Sequence, residues 1–451
     1  MDARTERLLL ARLARAQLEA RAPSVVAGLV RDGALVWSAG RGEVDGGEPD
    51  GDVQYRIGSI TKTFAAVLVL RLRDEGAVDL GLPIENYLPG CGLGTATVAQ
   101  VLAHTSGLRS ETGGPWWERT PGGSFADLEA GTLTAPGALV GAPGRGFHYS
   151  NSGYGLLGEL AARLRGQSWA EVVTDEILVP LGMTRTTTRP RPPAAQGFAV
   201  HPWADVLLAE PETDNGALAP AGQLWSTVAD LARWVSFLAG RTEGLLRAET
   251  LAEMSEPQSL GDVRSGAWTS SYGLGLQLWN TGGRRSYGHT GSMPGFLALA
   301  KTEPDGDGVV LCANATTGLD LTGVGDELLS ILAEQEPRIV PAWRPSRTAA
   351  NVLPLLGIWY WGPTPVALRA RDDGGLEIES IGRGGRTSRF SPTGHETWRG
   401  LDGYYVGETL SVVRGADGAV RHLDIGSFVF TREPYEPDAG VPGGDLPWQA
   451  E

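Results

Sequence analysis

The chain has 451 residues, 41% of them hydrophobic and 20% charged, with a formal net charge of −15. That length holds two or three domains. The acidic balance, without a basic stripe carrying interleaved aromatics, excludes a nucleic-acid binder, and Cys91 and Cys312 are too few for a metal-ligand cluster.

Residues 3–21 carry leucines and alanines at helical spacing among arginines, which predicts an amphipathic surface helix. Charge interrupts every apolar run there, so the segment lacks the apolar stretch of a secretory signal. The apolar run Phe64–Leu70 is too short to span a bilayer. These features point to the cytoplasm, with no membrane as partner. Ser24–Val30, a turn at Arg31-Asp32-Gly33 and Ala34–Gly40 read as a β-hairpin. A helix follows from Ser59 to near Gly76, and a short one from Val98 to Ala103.

Residues 109–148 are rich in glycine and proline, as suits a loop region that gates a substrate. Trp116 and Trp117 either line that region or pack beneath it. An apolar helix spans Gly155–Leu164, and 188–222 is a second irregular stretch. Ser226 or Thr227 caps the helix Val228–Leu238. Beyond it the pattern turns to strands, at Tyr272–Leu278, around His289, at 295–301 and at 308–313, before a closing helix at 319–333.

This order predicts an α+β domain over residues 1–335, an antiparallel sheet flanked by helices with an all-helical part beside it. Prolines mark 336–350 as a linker. Short alternating segments between glycine and aspartate turns make 351–437 a small antiparallel β domain, and 438–451 is a Gly/Pro-rich tail.

Three clusters carry chemistry. Ser59 and Lys62 lie three apart where a helix begins, so the amine sits on the same face as the hydroxyl. A lysine whose pKa burial has lowered can take a serine proton. The plain alternative is an N-cap serine with an exposed lysine one turn on. Tyr149-Ser150-Asn151 adds a phenol that can carry a proton and a carboxamide that can hold a substrate amide oxygen and steady Lys62. His289-Thr290-Gly291-Ser292 adds a strand with donor side chains, and the backbone N–H of Ser292 can complete an oxyanion hole with that of Ser59.

In this order the clusters resemble those of the penicillin-recognising serine hydrolases, which include class C β-lactamases, D-specific peptidases and family VIII esterases. Gly58, the loop His104–Leu108 and Ser150 also look like that family's, and the resemblance covers roughly residues 10–335. It implies Ser59 as nucleophile, Lys62 and Tyr149 as the proton-handling pair with either one as base, and an acyl-enzyme. Asn151, His289, Thr290 and Gly291 then bind substrate. His289 stands where many relatives keep a lysine. A histidine, partly charged near neutral pH, holds a carboxylate less firmly than a lysine does. His104 reads as structural.

The absence of an export signal and the small β domain make the chain similar to the penicillin-binding-protein-type thioesterases, stand-alone cyclases of nonribosomal peptides. That resemblance implies a lipocalin-like β domain over 351–437 and no cofactor or metal. It implies a peptidyl carrier protein as partner, presenting a linear peptide thioester. The peptide, with a D-configured C-terminal residue, leaves by head-to-tail macrolactamisation. It further implies an arginine reaching the site from the β domain, for which Arg432 is the candidate, replacing the cation lost at His289. The competing reading is a D-stereospecific peptidase or esterase of the same fold. An idle binding protein is the third.

Overall fold

The computed structural model describes residues 1–260, 268–316, 318–345, 352–382 and 385–435. The chain divides into two compact units, Met1–Arg338 and Ile339–Glu451, so the boundary falls inside the expected linker. The expected tail at 438–451 and the stretch 346–350 lie outside the described residues.

The first unit is built on an eight-stranded antiparallel sheet. Its order is Ala34–Gly42, Ser24–Arg31, Gly308–Ala313, Phe296–Thr302, Arg284–Met293, Gln277–Thr281, Ser270–Tyr272 and Ser259–Leu260. The central strands are apolar on both faces, and their alternation sorts side chains between two cores. Val25, Ala27 and Leu29, with Leu299, Val309 and Leu311, pack under Leu9 and Leu13 of helix Ala3–Ala20 and Leu328 and Leu332 of helix Leu321–Gln335. Val26, Val30, Ala298, Ala300 and Val310 face the other way, toward Phe64 and Val67 of helix Thr61–Asp74 and Trp234 of helix Val228–Leu238. Cys91 and Cys312 are separate buried thiols.

Three local expectations change. The strand expected over Tyr272–Leu278 is two strands, Ser270–Tyr272 and Gln277–Thr281. Gly273 packs where a Cβ would lie 2.0 Å from the Met254 carbonyl oxygen, and Gly275 has φ +89°, so the chain turns between them. The helix expected from Gly155 begins at Asn151, because Ser150 caps it by accepting from the Gly153 amide at 3.1 Å. The irregular stretch 188–222 contains a short hairpin, Phe198–Val200 with Leu207–Ala209. Among the described residues, no helix is long and apolar enough to cross a membrane.

The second unit is an eight-stranded antiparallel meander from Gly357–Trp361 to Phe428–Phe430, each strand pairing with the next. Paired hydrogen bonds between Tyr360 and Thr431, at 2.8 and 2.9 Å, join the first strand to the residue that follows the last and nearly close a barrel. Trp359, Leu368, Ile378, Phe390, Trp398, Leu423 and Phe430 form its core.

Candidate active site

The short strand Tyr55–Arg56 pairs with Trp225–Ser226 and delivers the chain to a tight turn, Gly58–Ile60, that runs directly into helix Thr61–Asp74. Gly58 has φ +51°, and a Cβ there would lie 2.6 Å from the Ser292 nitrogen. Only glycine fits both the angle and the approach. Ser59 makes no capping hydrogen bond. Its Oγ accepts instead from Lys62 Nζ at 2.9 Å, which sets aside the N-cap alternative.

Lys62 is fully buried and also donates to the Ala221 carbonyl oxygen at 2.7 Å. Burial pulls its pKa down to about 7, against the opposing charges of Glu111 and Glu118. An appreciable fraction of this amine is therefore neutral at physiological pH. The Tyr149 phenol faces the Ser59 side chain, and loss of water around it raises its pKa above the ordinary phenol value. Its ring lies beneath Lys62 Nζ, 4.9 Å from centroid to nitrogen. The three expected catalytic side chains thus converge.

Strand Arg284–Met293 presses against the nucleophile turn. A Cβ on Gly291 would stand 1.9 Å from the Ile57 carbonyl oxygen and 3.3 Å from the Ser59 nitrogen. A side chain at 291 would push the strand away, so glycine brings the amides of Ser59 and Ser292 to one place. Such a pair of donors suits a developing oxyanion.

The remaining expected residues are present in altered roles. Asn151 does not hold Lys62; the Ala221 carbonyl does. The Asn151 carboxamide donates to Glu111 Oε1 at 2.8 Å, while Glu111 Oε2 accepts from Trp117 Nε1 at 2.7 Å. His289 is not a partly charged donor. Burial, with help from nearby Lys62, lowers its pKa to about 3, so the ring is neutral. Its Nδ1 donates to the Thr290 carbonyl, and Nε2 accepts from the Tyr272 hydroxyl at 3.1 Å, leaving no free donor. Thr290 turns both its amide and its hydroxyl to Gln277 Oε1, at 2.9 and 3.0 Å.

Arg432 differs most from expectation. Its guanidinium donates to the carbonyls of Leu356 and Ile358 at 3.1 Å each, and to that of Pro354, and it stacks 3.9 Å over the Trp359 ring. These partners belong to its own unit and take up three of the five guanidinium N–H donors.

Sequence reasoning passed over Glu111, Glu118, Ala221, Tyr272 and Gln277. The two glutamates, set beside two tryptophans in the irregular stretch 109–148, were the available signal. Trp117 packs beneath that stretch at 9% exposure, and Trp116 is exposed. His104, read as structural, is buried and accepts from the Ser150 amide at 3.0 Å, with its ring 4.2 Å from that of Tyr149. It holds Tyr149 in place.

Comparison with known proteins agrees with this geometry. The chain is 27% identical over 312 residues to penicillin-binding protein 4 of Amycolatopsis lactamdurans, covering 63% of this chain and 77% of that one. It is similar to the solved structure of a D-stereospecific amidohydrolase from Streptomyces sp., with 28% identity and TM-score 0.61, over 74% of this chain and 98% of that one. The structure of SurE matches over both units, with 25% identity and TM-score 0.59, covering 95% of this chain and 99% of that one. A family described only as a domain of unknown function, DUF7586, matches residues 348–432. The profile of the family described as Beta-lactamase matches residues 10–326, so the chain belongs to that family, whose members are serine hydrolases or acyltransferases.

Proposed function

We propose that this protein is a serine acyltransferase that takes a linear peptide from a carrier-protein thioester and releases it as a head-to-tail macrolactam. The observation that carries acyl transfer is the buried Lys62 amine, 2.9 Å from Ser59 Oγ, with its pKa brought to about 7. Lys62 is the ground-state base, because it is partly neutral where Tyr149 still holds its proton.

The amine takes the Ser59 proton as Oγ attacks the thioester carbonyl. The oxyanion forms between the amides of Ser59 and Ser292. As the intermediate collapses, the C–S bond breaks and Tyr149 gives its proton to the departing sulfur. Lys62 then returns the serine proton to Tyr149. In the second half the peptide's N-terminal amine attacks the acyl carbon, passes a proton to the same pair, and Ser59 leaves reprotonated. Aminolysis prevails only if the peptide ends are held together and water is kept out.

The cyclase reading is favoured over a D-stereospecific peptidase or esterase by extent of likeness. SurE matches across both units, one SurE structure carries D-Leu, and the amidohydrolase covers 74% of this chain. A lipocalin-like second unit, a peptidyl carrier protein as partner and a cytoplasmic setting belong to the same proposal.

The test is incubation with a linear peptidyl N-acetylcysteamine thioester ending in a D residue. A product one water lighter than the free acid is the expected outcome. Free acid alone, across varied peptides, overturns the cyclase in favour of the hydrolase. A fluorophosphonate that fails to label Ser59 in the folded protein overturns acyl transfer itself.

A further inference from the structure

Two segments flank the Lys62 amine, and one side chain ties them together. On the Tyr149 side, residues 109–111 are laced to 148–151. The Asn151 amide donates to the Ser110 carbonyl at 2.9 Å, the Ser150 hydroxyl donates to that of Arg109 at 2.7 Å, and Ser110 Oγ lies 3.1 Å from His148 Nε2. On the other side, the Ala221 carbonyl accepts from Lys62 Nζ. A Cβ on the adjoining Gly222 would lie 3.8 Å from the Trp117 ring and 3.8 Å from the Gly58 carbonyl carbon, so Trp117 abuts the nucleophile turn. Glu111 spans the two sides, with one oxygen on Asn151 and the other on Trp117.

The indole N–H can only donate. A carboxylate accepts from it and from the Asn151 amino group together, and so fixes which way that carboxamide points. A glutamine in its place would turn a donor on one of the two. The charge also reaches the reacting amine. Glu111, followed by Glu118, opposes the desolvation of Lys62. Glu118 is itself pushed up by burial, and its charge is shared between Lys62 and Arg56. The other titratable groups around the amine are the phenols of Tyr149 and Tyr154 and the imidazoles of His104 and His289. Burial keeps the phenols protonated and the imidazoles neutral, so near pH 7 they add no charge.

Resting on the acyl-transfer reading above, we propose that Glu111 is a positioning residue of this site, a fixed anion that orients Asn151 for the acyl group and sets the pH at which Lys62 can take the Ser59 proton. It acts through Asn151 and Lys62 rather than on the acyl carbon.

The experiment measures kcat/KM against pH for consumption of a peptidyl N-acetylcysteamine thioester, whichever product forms. In the wild type the value should rise with pH as Lys62 loses its proton, with a midpoint near 7. Glu111→Gln removes the anion that favours the charged amine. Its midpoint is expected lower by about half a unit or more, which is about threefold more neutral amine on the acid limb. Glu111→Asp keeps the charge on an arm too short to reach both donors. Its midpoint should stay at the wild-type value while the plateau falls by about tenfold.

An unshifted midpoint in Glu111→Gln overturns the electrostatic role, and so does a midpoint in Glu111→Asp that falls as far as that of the glutamine variant. A wild-type plateau in Glu111→Asp overturns the positioning role, and this arm decides even if the glutamine variant does not fold. Labelling of Ser59 by a neutral fluorophosphonate shows that a variant is folded with its nucleophile intact. Failure of the wild type to label overturns acyl transfer itself, an outcome distinct from turnover that is indifferent to Glu111.

Discussion

Two eight-stranded antiparallel sheets share this chain and solve different problems. In the first, Ser24–Arg31 pairs with Gly308–Ala313, so strands from both ends of the unit meet and the helices and loops between them close over one face. In the second, every strand pairs with its sequence neighbour. The first buries Lys62, Arg56, His104 and His289 close to the nucleophile; the second fills its interior with residues such as Trp359, Leu376, Phe390 and Ile425. Burying an ionisable group opposes folding, whereas burying an aromatic side chain favours it. The first sheet gives up stability to hold a reactive amine, and the second has no such requirement.

That contrast is open to direct attack. The largest effect is expected from Ser59→Ala, which removes the acyl-accepting oxygen. Thioester turnover should fall by about four orders of magnitude or more, with little change in melting temperature. A loss of less than tenfold would mean that another group carries the acyl transfer.

Trp359→Ala strikes the other sheet, where the indole is fully buried and donates to the Leu355 carbonyl at 2.7 Å. It should cost the second unit roughly 3–5 kcal/mol in chemical denaturation, while fluorophosphonate labelling of Ser59 persists. Labelling lost in parallel would show that the two units fold as one.

Lys62→Met sharpens the comparison through pH. The unfolded lysine holds its proton to about 10.5, whereas the native one releases it near 7. The unfolded chain therefore binds the extra proton between those values, and native stability rises with pH across that window. Below pH 7 the burden is complete, about 5 kcal/mol, and it vanishes above 10.5. Methionine relieves it but leaves the Ala221 carbonyl unpaired, a cost of about 2 kcal/mol. The variant should be more stable by about 3 kcal/mol at pH 6 and less stable at pH 10, read from urea denaturation. A pH-independent difference would show that the lysine is not held near neutrality.

Particular residues show how far the chain could be read without coordinates. Helix Val228–Leu238 and its Thr227 cap lie where the apolar period and the capping residue place them, and the Thr227 hydroxyl accepts from the Asp230 amide at 3.1 Å. Ser59 and Lys62 were legible because one helical turn sets their spacing, whatever surrounds them. His289 was legible as part of the site but not as a neutral ring, since its protonation follows from burial and from Tyr272 on another strand. The partners of Arg432 were hidden for a related reason. Nothing in its local segment reveals the three carbonyls and the indole that hold it, all three carbonyls belonging to Pro354, Leu356 and Ile358 far upstream.

The amino-acid order by itself determined what short-range geometry governs: the periodic elements, the turn that exposes the nucleophile, the amine one turn beyond it, and the division into two units. Tertiary structure alone decided which groups lose their water and which distant atoms replace it. Those choices lowered the Lys62 pKa, silenced His289, enlisted the Ala221 carbonyl and Gln277, and set Arg432 on three carbonyls and an indole. Desolvation depends on everything packed around a group, and in this chain those neighbours come from segments far apart in sequence.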